Sequence, residues 1–269
     1  MTQTVAVLGT GKIGEALLSG MIRAGWRARD LLVTTRRPER AEELRTRYGV
    51  EAVTNAEAAK NADILILAVK PQDMGRLLEE LAPHVAADRL VISAAAGITT
   101  AFIEDSLAAG TPVVRVMPNT PVLVDEGMSV ISAGSHATAG HLDHAESIFG
   151  GVGKTLRVPE SQQDAATALS GSGPAYFYFL VEAMTDAGIL LGLPRAQAHD
   201  LIVQAAIGAA VMLRDSGEHP VKLREAVTSP AGTTISAIRE LENHGVRAAL
   251  IAALEAARDR SRELATGNG

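Results

Sequence analysis

Val5-Ala6-Val7-Leu8 runs directly into Gly9-Thr10-Gly11-Lys12-Ile13-Gly14, and apolar residues at helical spacing follow. The stretch reads as a strand, a tight turn and the start of a helix. In that setting G-x-G-x-x-G holds the pyrophosphate of a dinucleotide. Gly9 permits the turn, Gly11 leaves the backbone open to the phosphates, and Gly14 lets the helix lie close to the strand. The free N–H groups of the first helical turn then face the anion.

Beyond this turn, short β-branched runs alternate with amphipathic runs. Strands are expected over 5–8, 31–34, 64–69, 90–93, 113–116 and 128–132, with helices over 13–24, 37–48, 56–61, 72–82 and 100–108. The alternation predicts an α/β fold with a Rossmann-type, doubly wound parallel sheet and helices on both faces. Its ligand groove lies beyond the carboxyl ends of the strands, where the strand order reverses. Near Val158 the pattern changes. From Glu160 onward Ala-rich helices are expected over 162–169, 174–191, 195–215, 220–226 and 235–263. Pro194 and Pro220 stand near helix starts, and Gly192 and Gly217 just past helix ends. The chain thus divides into a Rossmann domain over 1–158 and an all-helical domain over 159–269, with residues 265–269 as a disordered tail. Ala205-Ala206-Ile207-Gly208-Ala209-Ala210-Val211 is small and apolar nearly all round, so its helix needs cover. A domain this short cannot hide several such helices, which predicts an intertwined homodimer through the helical domain; a compact monomeric bundle is the alternative.

Composition removes several classes of function. The 269 residues carry a net charge of −6 and no Cys. No basic patch marks a nucleic-acid partner, and no disulfide, thiolate metal site or Cys nucleophile is available. No apolar run approaches the ~20 residues that span a bilayer, so no membrane partner is expected. The opening strand leaves no room for a cleavable leader, and the absence of Cys fits a reducing cytoplasm. His136, His141 and His144 fall on one expected helix and read as solvated rather than as ligands, so no metal is expected. Neither a G-x-S-x-G elbow nor an H-E-x-x-H helix occurs.

The expected strand ends supply the groove. An NAD-preferring site tends to place Asp or Glu about 20 residues after the glycines. Here the sequence reads Thr34-Thr35-Arg36-Arg37-Pro38, two hydroxyls and two guanidiniums. Arg pairs well with a phosphate dianion, which favours NADP(H), with NAD(H) as the alternative. On the other reading, Arg36 and Arg37 merely face water on a helix turn. Ala68-Val69-Lys70-Pro71 suits the ribose and nicotinamide, unless Lys70 is an ordinary surface residue and Pro71 opens a helix. Ala94-Ala95-Ala96-Gly97 lets a flat cofactor lie against the backbone, or simply packs a loop. In Met117-Pro118-Asn119-Thr120-Pro121, Asn119 suits a carboxamide, or bonds its own turn.

Two loops in the helical half run into helix starts: Ser170-Gly171-Ser172-Gly173-Pro174-Ala175-Tyr176 and Ser229-Pro230-Ala231-Gly232-Thr233-Thr234. The N–H groups of Gly232, Thr233 and Thr234, with the Ser229 and Thr234 hydroxyls, form a candidate cradle for a substrate carboxylate. Plain N-capping is the other reading. No strong general acid stands beside either loop.

These segments, with Leu191-Gly192-Leu193-Pro194, resemble the pyrroline-5-carboxylate reductase family along nearly the whole chain. The resemblance implies reduction of L-1-pyrroline-5-carboxylate to L-proline by NAD(P)H, the last step of proline synthesis. It also implies a helical domain that interlocks in a dimer, and dimers that assemble into a decamer. By position, family cofactor contacts fall on Leu8, Gly9, Thr10, Gly11, Lys12 and Ile13, on Thr34 or Thr35, on Asn55, on Ala68, Val69, Lys70 and Pro71, and on Ala94, Ala95 and Ala96. Substrate contacts fall on Thr233 and Thr234, with Ser229 nearby and Glu160 as a further match. One departure is Ala226, where a member of the family carries Asn. Thr234 is the residue expected to bond the ring nitrogen. A hydroxyacid dehydrogenase of similar architecture is the runner-up; it calls for a Lys base, and Lys222 is the single Lys of the helical half. A non-catalytic NADP-sensing scaffold is the alternative outside enzymes.

Overall fold

A computed structural model describes residues 3–265 of the chain. Residues 266–269, most of the tail expected to be disordered, lie outside that range; Ala265 ends a helix. Strands β1 (Val5–Leu8), β2 (Leu31–Thr34), β3 (Glu51–Ala52), β4 (Ile64–Leu67), β5 (Leu90–Ser93), β6 (Val113–Met117), β7 (Gly127–Ala133) and β8 (Gly153–Arg157) form one 8-stranded sheet. Its spatial order is β3-β2-β1-β4-β5-β6-β7-β8. Every neighbouring pair is parallel except β6 and β7. The order reverses between β1 and β4, where Leu8 pairs with Leu67.

The central strands β1 and β4 are apolar throughout because both faces of the sheet are covered. Val5, Val7, Ile64, Ile66, Ile92 and Val114 point into one core, with Leu17, Leu18 and Met21 of helix α1 (Lys12–Arg23). Helix α2 (Pro38–Tyr48) adds Leu44 to the same face. Ala6, Leu8, Leu65, Leu67 and Val91 point into the other core. There they meet α3 (Asn55–Asn61), α4 (Met74–Leu81) and α5 (Thr100–Ser106). Each fully buried Leu or Met contributes about 1.5–3 kcal/mol. Local signals start these helices. Thr54 and Glu57 form a reciprocal capping box at α3, and Thr99 accepts from the Phe102 amide at α5. Helix α6 (Ala139–Phe149) carries His141 and His144, whereas His136 sits in the turn before it. The expectation of all three on one helix fails because Thr138 caps α6, its amide donating to His141 Nδ1.

The helical half contains α7 (Gln163–Ala166), a π turn over Thr167–Gly171, α8 (Gly173–Leu190), α9 (Arg195–Asp215), α10 (Pro220–Ala226), α11 (Thr233–Asn243) and α12 (Val246–Ala265). The single helix expected over 235–263 is two, because Gly245 takes a φ of +64° between α11 and α12. The chain forms two compact units. One holds the sheet, extends to Ser172 and takes up the chain again at Ala257. Within it the end of α12 is anchored by Ser261 Oγ donating to Asp164 at 2.7 Å. The other unit is Gly173–Ala256. In it α8 and α9 pack so closely that a Cβ on Gly188 would lie 2.6 Å from the Ala198 side chain. Apolar residues of both helices lie open among the described residues, with Leu190 of α8 89% and Leu201 of α9 61% exposed. Helix α9 also corrects a sequence expectation. Its 21 residues include a window of mean hydropathy 1.3, long and apolar enough to cross a membrane by length and composition. Counting unbroken apolar runs missed it because Gln197, His199, Asp200 and Gln204 punctuate the helix.

Candidate active site

The glycine turn sits at the point where the strand order reverses. Gly9 has a φ of +91°, and a Cβ there would lie 2.7 Å from Val69 and 2.9 Å from the Ala68 carbonyl. A Cβ on Gly14 would run into the Gly9 carbonyl, so α1 lies directly on the turn. Around Gly11 a Cβ would meet nothing within 4 Å. The turn is tied to the end of β2: the Thr34 carbonyl accepts from the amides of Gly9 (3.3 Å) and Thr10 (3.4 Å) and from Thr10 Oγ1 (3.2 Å). No side chain caps α1, whose first amides therefore remain available to an anion.

From this turn a cleft of about 830 Å³ runs along the strand ends. Gly9, Thr10, Gly11, Thr34, Thr35, Arg36, Arg37, Asn55, Ala68, Val69 and Lys70 line it, all expected from the sequence. The remaining expected residues stand apart from the lining. Leu8 is buried in β1, and Gly14 is packed beneath the turn. Lys12 and Ile13 open α1, and Pro71 opens the helical turn that precedes α4. Ala94, Ala95 and Ala96 follow β5, with the Ala94 amide bonded to Leu67 and Ala95 buried. Asn119 spends both ends of its amide on protein: Nδ2 donates to the Ser170 carbonyl at 3.1 Å, and Oδ1 accepts from the Met128 amide at 2.9 Å. Its structural role is to join the loop after β6 to the π turn.

Sequence reasoning missed Arg40 and Arg76, which also line the cleft, together with Val53, Thr54, Asp73, Leu77 and Glu80. Arg40 lies three residues beyond Arg37 on α2, a spacing that places side chains on one helix face. Its guanidinium pairs with Glu15 and Glu43, and Nε approaches the Thr10 carbonyl at 3.5 Å. Glu15 also accepts from Arg47 and from the Tyr48 hydroxyl, each at 3.0 Å. Burial pushes the Glu15 carboxyl up, but the bonds from Arg40 and Tyr48 outweigh it and hold the group below the usual carboxylate range. A fixed anion under α2 thus orients Arg40 toward the turn. Arg37 has no side-chain partner among the described residues, leaving a free cation in the cleft. Uncapped amides, a bare Gly11 and several guanidiniums suit a phosphate-bearing dinucleotide.

In the second unit, Ser229 to Thr234 forms a tight turn into α11. The Gly232 amide donates to the Ser229 carbonyl at 3.1 Å, and Ala231 takes a φ of +59°. A Cβ on Gly232 would run into Ser229 Oγ unless that hydroxyl turned away, so Gly leaves the hydroxyl its room there. Gly232 is the N-cap with no side-chain cap, which leaves the amides of Thr233 and Thr234 in the open first turn. Thr234 is half-buried and Ser229 exposed. Glu160 is engaged within the first unit: it accepts from the Thr100 amide at 2.8 Å, from Thr100 Oγ1, and from Arg115 at 3.3 Å. Among the described residues no group of three or more His, Asp or Glu side chains is placed to hold a metal ion.

Comparison with known proteins bears on both units. Residues 160–264 match the family described as pyrroline-5-carboxylate reductase dimerisation, and residues 4–97 match coenzyme F420-dependent NADP oxidoreductases. The first match makes the helical half an oligomerisation region. A pyrroline-5-carboxylate reductase of Corynebacterium melassecola is 48% identical over 97% of this chain and 98% of its own. A solved reductase of this kind from Coxiella burnetii superposes with a TM-score of 0.93 at 37% identity, covering 98% of this chain and 99% of that one. The Plasmodium falciparum pyrroline carboxylate reductase, solved with NADP bound, gives a TM-score of 0.87 at 28% identity and covers 98% of both chains. Similarity at this level along nearly the full length of both chains means that the chain belongs to the pyrroline-5-carboxylate reductase family.

Proposed function

We propose that this chain reduces L-1-pyrroline-5-carboxylate to L-proline with NADPH as the preferred donor, the last step of proline biosynthesis in the cytoplasm. The observation that carries the reading is that one chain holds both an arginine-lined dinucleotide cleft and an open amide turn at the start of α11. When bound, NADPH supplies a hydride from its nicotinamide ring. Residues 1–158 serve as the cofactor domain. The amides after Gly11 take the pyrophosphate, Thr34, Thr35, Arg36 and Arg37 take the adenosine ribose and its phosphate, and Ala68 to Pro71 with Ala94 to Ala96 border the nicotinamide end. Residues 159–269 serve as the substrate and dimerisation domain.

The substrate is a five-membered cyclic imine with a carboxylate. The Thr233 and Thr234 amides and the Ser229 hydroxyl hold the carboxylate, where the α11 dipole favours negative charge. The Thr234 hydroxyl bonds the ring nitrogen and fixes which face of the C=N carbon is presented. The imine enters protonated from solvent, so the residues here have to orient it and exclude water rather than deliver a strong acid. Transfer needs reacting atoms about 3–3.5 Å apart, and such positioning supplies much of the acceleration. Subunits pair through the helical domain and assemble into a decamer, supported by the exposed apolar faces of α8 and α9.

An assay of NADPH oxidation against pyrroline-5-carboxylate and a panel of 2- and 3-hydroxyacids in reverse tests the reading. Turnover confined to the cyclic imine, with proline as product, is expected. Turnover of a hydroxyacid alone contradicts it.

A further inference from the structure

Arg36 and Asp73 meet across the cofactor cleft, one from the carboxyl end of β2 and the other from the helical turn Pro71–Asp73 that opens α4. Arg36 Nη1 donates to Asp73 Oδ1 at 3.2 Å and Nη2 donates to Oδ2 at 3.1 Å. The planar fork of Arg36 is therefore taken, two bonds at once, by a carboxylate. Arg76 reaches the same carboxylate at 3.7 Å. A phosphate presents the same pair of oxygens with a larger charge. A ribose hydroxyl has no charge with which to displace Asp73, and a carboxylate left in place can accept from it.

We propose that Asp73 is an internal competitor for the phosphate subsite: it holds Arg36 until a phosphate on the adenosine ribose displaces it, and so limits how strongly the cleft discriminates NADP(H) from NAD(H). This rests on the NADPH reading above. Arg40 does not play this part, because its guanidinium is kept by Glu15 and Glu43, away from the Asp73 exchange. Arg37 supplies a second cation that needs no displacement. The pair Arg36–Asp73 thus sets the degree of phosphate preference.

The test is calorimetric titration of the full-length protein with adenosine 2′,5′-bisphosphate and adenosine 5′-monophosphate, the adenine halves with and without the ribose phosphate. Wild type, Asp73→Asn, Asp73→Ser, Arg36→Ala and the Arg36→Ala/Asp73→Asn double variant are compared, each checked by a melting curve. Both Asp73 variants are expected to raise selectivity for the bisphosphate about fivefold, equivalent to ~1 kcal/mol. In the Arg36→Ala background the gain should disappear. If wild type selects the bisphosphate while the Asp73 variants leave the ratio as it was or lower it, Asp73 does not compete, and the proposal fails with the NADPH reading intact. If wild type shows no selectivity, the NADPH preference fails and the proposal with it.

Discussion

Thr234 is the second residue of α11, so its amide and hydroxyl share the first helical turn with the Thr233 amide. That geometry separates two contributions. The amides survive any side-chain substitution, whereas the proposed hydroxyl contact to the imine nitrogen does not. Thr234→Ala should lower kcat/KM for the imine about ten- to hundredfold, the loss of one hydrogen bond to a charged group. Binding of adenosine 2′,5′-bisphosphate by the same variant should stay within twofold, as calorimetry would show. Wild-type turnover in Thr234→Ala would remove the hydroxyl from the mechanism. Gly232 contributes differently: a Cβ there would take the space of Ser229 Oγ and force that hydroxyl to turn away.

At the scale of elements, the cleft depends on how α1 and α2 hold each other. Glu15 of α1 is the shared acceptor for Arg40, Arg47 and Tyr48 of α2. Its folded-state pKa is lowered, so the stabilisation is fully present above the ordinary carboxylate value of ~4.3 and is lost as pH falls through the depressed value. Thermal melts of wild type and Glu15→Gln should therefore differ most at neutral pH and converge below pH ~4; a constant gap across that range contradicts the assignment. Much of this architecture is legible in the sequence, because a strand buried on both faces must be an apolar run and a helix must start on a cap. The β1 turn, β2, β5 and α9 follow from those rules. The edge strand β8 does not, since Lys154, Thr155 and Arg157 interrupt any apolar pattern. The break at Gly245 is hidden because apolar spacing continues on both sides of it. In the cleft, strand ends were readable, while Arg40, Asp73 and Arg76 were not, because they arrive from helices whose placement depends on the folded sheet.

For the whole molecule, the open question set by the sequence is what covers the small-residue helices, and the family match answers it with oligomerisation through the helical half. Leu201 is an exposed apolar residue of α9, within the matched region. Leu201→Asp should shift the protein toward monomer in analytical ultracentrifugation at micromolar concentration; an unchanged sedimentation profile would place the interface elsewhere. The proposed reaction passes a hydride directly from NADPH to the imine carbon. Turnover of L-1-pyrroline-5-carboxylate with NADPH carrying deuterium at the transferable nicotinamide C4 position tests it most directly, with the product read by mass spectrometry and NMR. The account predicts L-proline with one deuterium on C5, the former imine carbon. Proline without that label, or deuterium appearing in solvent, would contradict it.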